Sequence, residues 1–247
     1  KIVTEANIRR MVFFDKNGTE KSLKDKSTYA KDATLSLAAS SLDPATSGKA
    51  RTLNFNASGD FFDFSDSDEL SFGNGAGTDS AFSIVCYMNP NAITSTTILS
   101  KARFQTGFIR LEYEFGFDSS SRLRGVLYNS GNSGIKIGRY YNSDISSDVG
   151  NWHLYTMTYS GSKAASGISL YRDETKVDDT NETGGTYTTA GMSNTTTPLM
   201  SYILNTTNAK DRILNGKIGF IALIAEELTS TKISSINTLM KKYVGVA

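Results

Sequence analysis

Phe108-Ile109-Arg110-Leu111-Glu112-Tyr113-Glu114-Phe115-Gly116-Phe117 alternates apolar and polar side chains. A strand turns successive side chains to opposite faces, so Leu111, Tyr113, Phe115 and Phe117 share one face while Glu112 and Glu114 share the other. The pattern predicts a strand with an aromatic core face and a wet acidic face. Similar runs surround it at short spacing: Phe61–Phe64, Ala81–Met88 and Thr97–Lys101 before it, and Leu123–Tyr128, Ile135–Tyr141, Trp152–Tyr159, Gly167–Arg172 and Leu199–Leu204 after it. Many short strands joined by Ser-, Thr- and Gly-rich turns predict an all-β sandwich of two antiparallel sheets. Ile218–Ala225 is apolar on both faces, with Ile218, Phe220, Ala222 and Ile224 against Ile221, Leu223 and Ala225, which predicts a central strand covered on each side. Trp152 is expected in the same core.

One segment has helical periodicity. Thr229 or Ser230 caps a stretch in which Ile233, Ile236, Leu239 or Met240, and Tyr243 recur every three to four residues, predicting a short C-terminal helix over one edge of the sandwich. Asn181–Thr197 lacks a strand pattern and reads as the longest loop. Residues 1–10 read as an N-terminal arm and 11–247 as one domain, a size that sandwiches reach undivided. Lys1 opens the chain with no apolar signal core behind it, which reads as a processed or trimmed start.

Composition removes several function classes. Lys and Arg number 26 against 25 Asp and Glu, a formal net charge of +1, so no long-range field favours nucleic acid, an anionic membrane or an acidic substrate. No window approaches 18 consecutive apolar residues, and no membrane insertion is expected. The single Cys86 makes no internal disulfide, and the single His153 leaves no two-histidine metal motif. Cys86 falls in the apolar series Phe82, Ile84, Cys86, Met88 and reads as a buried small hydrophobe.

The order of phrases resembles the laminin-G-like, or concanavalin A-like, jelly-roll domains of bacterial surface and phage virion proteins. The resemblance runs from Val12-Phe13-Phe14-Asp15 and Lys24-Asp25-Lys26-Ser27 through Ala50–Phe64, with its Gly59-Asp60 turn before an aromatic strand. It continues in Phe82–Pro90, with Tyr87 where the family usually writes tryptophan, in Ile98–Lys101, Asn151–Gly161 and Ile168–Asp173, and closes with Asn215–Thr229. It implies a non-enzymatic, surface-exposed adhesion, glycan-binding or structural module, extracellular or on a virion. Its partners would be glycans, other copies of the chain or virion proteins, with oligomeric assembly open. The alternative on the same fold is a polysaccharide-active hydrolase or lyase.

The resemblance also implies a structural calcium held near the early glycine turn and by an acid on the closing strand. Asp60 matches the first place, either as a calcium ligand or as a turn former, while Gly219 stands where the second acid belongs. Nearby, Asp63, Asp66, Asp68 and Glu69 read as a solvated acidic loop. Glycosidases of this fold place two or three carboxylates on one strand face. Glu112 and Glu114 supply two, the next same-face position is Gly116, and the pair is expected to be solvated. His153 beside Trp152 reads as structural. Sugar binding asks for aromatic faces beside amides and charges. Arg139, Tyr140, Tyr141, Asn142 and Asp144 carry that mixture at the end of a predicted strand, with Tyr187 as a second candidate in the long loop.

Overall fold

The strand Gly216–Ile224 sits next to the edge strand of an antiparallel sheet in the computed structural model, which describes residues 3–13, 22–23, 25–36, 52–56, 59–129 and 134–244. Phe14, Asp15, Lys24, Ala50, Arg51, Ala57 and Ser58 of the resembling phrases lie outside these residues. The first sheet runs Ile8–Phe13, Gly216–Ile224, Phe82–Pro90, His153–Tyr159, Ile168–Arg172, Thr175–Lys176, and Leu53–Phe55 pairs with the start of Gly216–Ile224. The second runs Thr180–Gly184, Lys136–Tyr140, Leu123–Tyr128, Arg110–Phe117, Thr96–Arg103, Leu199–Met200, Phe61–Phe64, Ala33–Ser36, Ser22–Leu23. A small hairpin, Ile203–Leu204 with Lys210–Asp211, lies against the end of Thr96–Arg103. Phe82, Ile84, Cys86, Tyr113, Phe115, Met157 and Leu223 fill the space between the sheets. This is the expected two-sheet sandwich.

β-Bulges at Glu112 and Gly219 change which face their strand ends present. Lys101 pairs with Tyr113 and Ala102 with Leu111, leaving Glu112 unpaired. The extra residue resets the alternation, and Leu111 leaves the aromatic core face to pack with Ala102, Val126, Tyr128 and Ile203. Likewise Ile218 pairs with Met88 and Phe220 with Tyr87, leaving Gly219 as the extra residue. Ile218 therefore joins the inner core, while Phe220, Ala222 and Ile224 face outward.

The C-terminal helix, Ser230–Val244, covers that outward face of the first sheet and not its edge. Ile233, Ile236, Met240 and Val244 pack on Val85, Tyr87, Leu154, Phe220 and Ile224. Trp152 belongs to this layer instead of the space between the sheets. It is half-buried and stacks on Tyr87 with ring centres 5.3 Å apart, so the tyrosine takes the place of the family's tryptophan beside a second aromatic.

Three further expectations change. The strand Ile8–Phe13 pairs along Gly216–Ile224, so Ile8–Arg10 belong to the sheet and not to an arm, because a central strand apolar on both faces needs a partner on each side. The Asn181–Thr197 segment contains all but the first residue of the edge strand Thr180–Gly184, and the short helix Tyr187–Ala190. Its strand is too polar for alternation to reveal it. Finally, the two acids of Arg110–Phe117 are neither wet nor on one face: the bulge puts Glu112, fully buried, beside Lys101 and Thr195, while Glu114, 5% exposed, lies opposite Ser100 beneath Arg212.

Candidate functional site

The five residues of the predicted rim, Arg139, Tyr140, Tyr141, Asn142 and Asp144, follow one another along Lys136–Tyr140 and its exit, but their side chains do not converge. Arg139 is a strut: its guanidinium lies 2.8 Å from Asp178 Oδ2 and donates to Asn181 Oδ1 at 2.9 Å. Tyr141 packs against the inner core. Tyr140 lies on the other side beneath the Arg122 guanidinium, 4.3 Å from ring centre to Cζ, and Arg122 also donates to Asn142. Asp144 accepts the Ser146 N–H at 2.7 Å and so shapes its own turn. Only Tyr140 and Asn142 share a surface, with Arg122. Tyr187 offers no platform either. It is 1% exposed, and its hydroxyl and that of Tyr159 both donate to Asp79 Oδ2, at 2.9 and 2.7 Å.

The carboxylates are committed to the fold. Glu112 Oε1 accepts from the Thr195 N–H and hydroxyl, both at 2.7 Å, and lies 3.4 Å from the buried Lys101, which also meets Asp66 at 2.6 Å. Burial pushes the Glu112 carboxyl up, and Lys101 and Thr195 counter it. Glu114 is clamped by Arg212 at 2.6 Å and Arg124 at 3.5 Å. At Gly116, a Cβ would stand 2.3 Å from the Thr96 carbonyl, so no third acid fits there. The acidic loop is likewise paired: Glu69 meets Arg10 and Lys31, Asp63 accepts from Tyr202, and Asp68 from Asn194. His153 Nδ1 stands 2.8 Å from Asp173, and Arg172 and Tyr155 hold the buried Asp148 on its other side. Cys86 is fully buried, and burial pushes its thiol up.

The residues present do not fit the implied calcium. Asp60 is 1% exposed and its Oδ2 accepts the Asn56 N–H at 3.1 Å, the bond of a turn former. On the closing strand, a Cβ at Gly219 would lie 2.7 Å from Val244 and 3.4 Å from Trp152, so the second acid's place faces an apolar layer. Among the described residues no cluster of three acidic, His or Cys side chains is arranged for a metal.

A groove does open where the sheets part at one side, between the edge strand Thr180–Gly184 and the turn Ala165–Gly167. Its cavity volume is about 290 Å³, at the small end of ligand sites. Asn181, Thr183, Ser166, Thr188 and Lys136 supply the polar lining, and Ile137, Ala164 and Ala165 an apolar one, with Tyr187 at its margin. Glu182, one residue from the groove on both sides, takes a bidentate pair from Arg124 and a contact from Lys136. Burial works against ionisation of Glu182, but these cations outweigh it and hold the carboxyl at about 2. Of the groove's lining only Tyr187 was singled out by its residue type. The rest come from three segments, 136–137, 164–166 and 181–188, spread over about 50 residues, and nothing local marks them as neighbours.

No curated protein matches the sequence. Among solved structures, the binding domain of Paraclostridial Mosquitocidal Protein 1 aligns with a TM-score of 0.62 at 10% identity, over 98% of this chain and 53% of that one. The binding domain of botulinum neurotoxin DC, solved with rat synaptotagmin II, gives 0.61 at 15% identity over 96% and 52%. A botulinum neurotoxin type C structure, described as entering cells dependent upon interaction with two ganglioside molecules, gives 0.62 at 14% identity over 96% and 52%. The chain thus spans about half the length of the structures it matches, and at these identities the likeness is one of fold. A family model of the concanavalin A-like lectin/glucanases superfamily, of laminin-G type, matches residues 64–234. That is more than half of the chain, and with the two-sheet jelly roll it shows that the protein belongs to the laminin-G-like branch of the concanavalin A-like lectin/glucanase superfamily.

Proposed function

We propose that this domain is a non-enzymatic carbohydrate-binding module that works at an extracellular surface, and that the edge groove receives a single neutral sugar unit. The observation that carries this reading is the groove's lining. Hydroxyls, an amide and an amine beside the small apolar surface of Ile137, Ala164 and Ala165 match a pyranose, whose hydroxyls ring an apolar face. Its volume of about 290 Å³ suits one ring and not a chain. The binding domains that share the fold support a binding role, although the ligands named for them belong to chains twice this length. Hydrolysis or elimination would need an accessible acid and base in one cleft. Glu112 and Glu114 are instead covered and neutralised, and Gly116 admits no side chain. Virion attachment and assembly with other copies rest on resemblance alone and stand outside the proposal.

A glycan array followed by titration calorimetry tests it. Neutral saccharides should bind, and Asn181→Ala with Thr183→Ala should weaken them about tenfold without lowering the thermal midpoint. Release of reducing ends or unsaturated uronates from polysaccharides, abolished by Glu112→Gln with Glu114→Gln, would replace the binding module with the enzyme.

A further inference from the structure

Lys101 is fully buried, and its ammonium donates to Asp66 Oδ1 at 2.6 Å and stands 3.4 Å from Glu112 Oε1. A buried ion pair does no better for stability than apolar residues of the same volume, so folding alone gives no reason to set a lysine between two carboxylates. The β-bulge is what brings the three together. On a regular strand Glu112 would turn away from the side that Lys101 shares with its cross-strand partner Tyr113. As the extra residue it reaches Lys101 instead, the kind of re-aimed side chain that bulges provide beside reactive sites.

Glu112 is equipped to carry a proton. Its Oε2 is buried without a hydrogen-bond partner among the described residues, and burial pushes the carboxyl up, so it accepts a proton more readily than an exposed acid. Tyr113, fully buried, helps to keep the surroundings dry. Asp66 is the open end of the trio, its side chain 25% exposed, which leaves a released water a way out. In bulk water an ammonium and a carboxylate do not condense, because both ions are strongly solvated. Here burial disfavours the charged forms and the fold holds the reacting groups at contact.

We propose that Lys101 and Asp66 condense to an intramolecular isopeptide bond, with Glu112 as the proton carrier. Glu112 takes one proton from the Lys101 ammonium and passes it to an Asp66 carboxylate oxygen. The freed amine attacks Asp66 Cγ and the C–N bond forms. Glu112 then carries a second proton from the nitrogen to the same oxygen, whose C–O bond breaks as water leaves. Ammonium and carboxylate thus give amide and water, with Glu112 restored and no oxidant, reductant or co-reactant needed. The freshly folded chain holds the ion pair and passes from it to the amide. The bond ties the segment after Phe61–Phe64 to the strand Thr96–Arg103 and closes the loop from residue 66 to 101. Such a cross-link constrains the unfolded chain as a disulfide does, in a protein whose single Cys86 makes no internal one. None of the three residues lines the edge groove, so this proposal does not depend on what the groove binds.

Intact-mass spectrometry of the full chain, sampled at intervals after synthesis in vitro at neutral pH, tests it. The parent should end one water lighter than its sequence, about 18 Da, and its digest should contain a linked pair of peptides carrying Asp66 and Lys101. Lys101→Met and Asp66→Ala should stay at their sequence masses. Glu112→Gln keeps the side chain's shape but cannot carry the proton, and should slow the loss of water about a hundredfold or more. Stability changes at Lys101 are compared with parent still at its sequence mass. Should Lys101→Met or Asp66→Ala fail to fold, the linked peptides of the parent and the rate in Glu112→Gln carry the test. A folded parent that keeps its sequence mass, a lost water traced to residues other than Asp66 and Lys101, or equal rates in the parent and folded Glu112→Gln would each overturn the proposal.

Discussion

The two sheets bury surface by opposite chemistry, one beneath an apolar helix and the other around buried ion pairs. On the first sheet Val85, Tyr87, Leu154, Phe220 and Ile224 meet a helix that contributes Ile233, Ile236 and Met240. On the second, Glu114 and Arg124 pair beneath Arg212, and the bulge at Glu112 carries a further buried ion pair, Lys101 with Glu112, to the side that Tyr113 faces. Apolar burial stabilises in proportion to the area removed from water. A buried ion pair does little better than break even, because desolvation offsets attraction, yet losing one partner strands the other charge. The first sheet's apolar layer therefore tolerates partial loss, while the second sheet's ion pairs depend on each pairing being complete.

That contrast can be broken from either side. Phe220→Ala opens the apolar layer under the helix and should lower stability by about 3–5 kcal/mol in denaturant titration. A loss near zero would remove Phe220 from the packed layer. Lys101→Met keeps volume but leaves Glu112 and Asp66 without their cation, and should cost about 3 kcal/mol at neutral pH. Burial raises the folded Glu112 carboxyl above its unfolded value. Its ionisation thus disfavours the fold at high pH, and the variant should recover stability relative to the parent as pH falls. Adding Glu112→Gln should recover much of the loss without acid. If Lys101→Met is silent at every pH, the charged cluster is not the coupled unit described.

Glu182 titrates with the opposite sign. Its folded value of about 2 lies below an unfolded carboxyl near roughly 4.3, so its stabilisation is present above the unfolded value and is lost as pH falls from there through about 2. Glu182→Gln should cost about 2 kcal/mol at neutral pH and flatten this part of the stability–pH curve. An unchanged acid limb would detach Glu182 from Arg124 and Lys136.

The two sheets also differ in how legible they were in the sequence. Ile218–Ala225 and the helix after it advertise an apolar layer, because strand and helix periodicities are local patterns. Only the bulge at Gly219, which turns Ile218 inward, escaped them. Glu112 and Glu114 look solvated on an alternating strand, and nothing local shows that Thr195 and Arg212, about 80 to 100 residues away, will cover them. The candidate site failed for the same reason. Arg139 to Asp144 has the right composition, but the register of its strand sends Arg139 and Tyr141 to one face and Tyr140 to the other. The groove is assembled from the polar edge strand Thr180–Gly184 and a turn, neither with a periodic signal.

The central claim is that a neutral sugar enters that groove. Amide chemical-shift mapping during titration with the tightest neutral saccharide from the array tests it most directly. The account predicts that the largest shifts fall on Lys136, Asn181, Thr183, Ser166 and Thr188, saturate together and disappear with Thr183→Trp. Shifts centred on Glu112 and Glu114, or on the surface around Tyr140 and Asn142, with the groove amides unmoved, would contradict it.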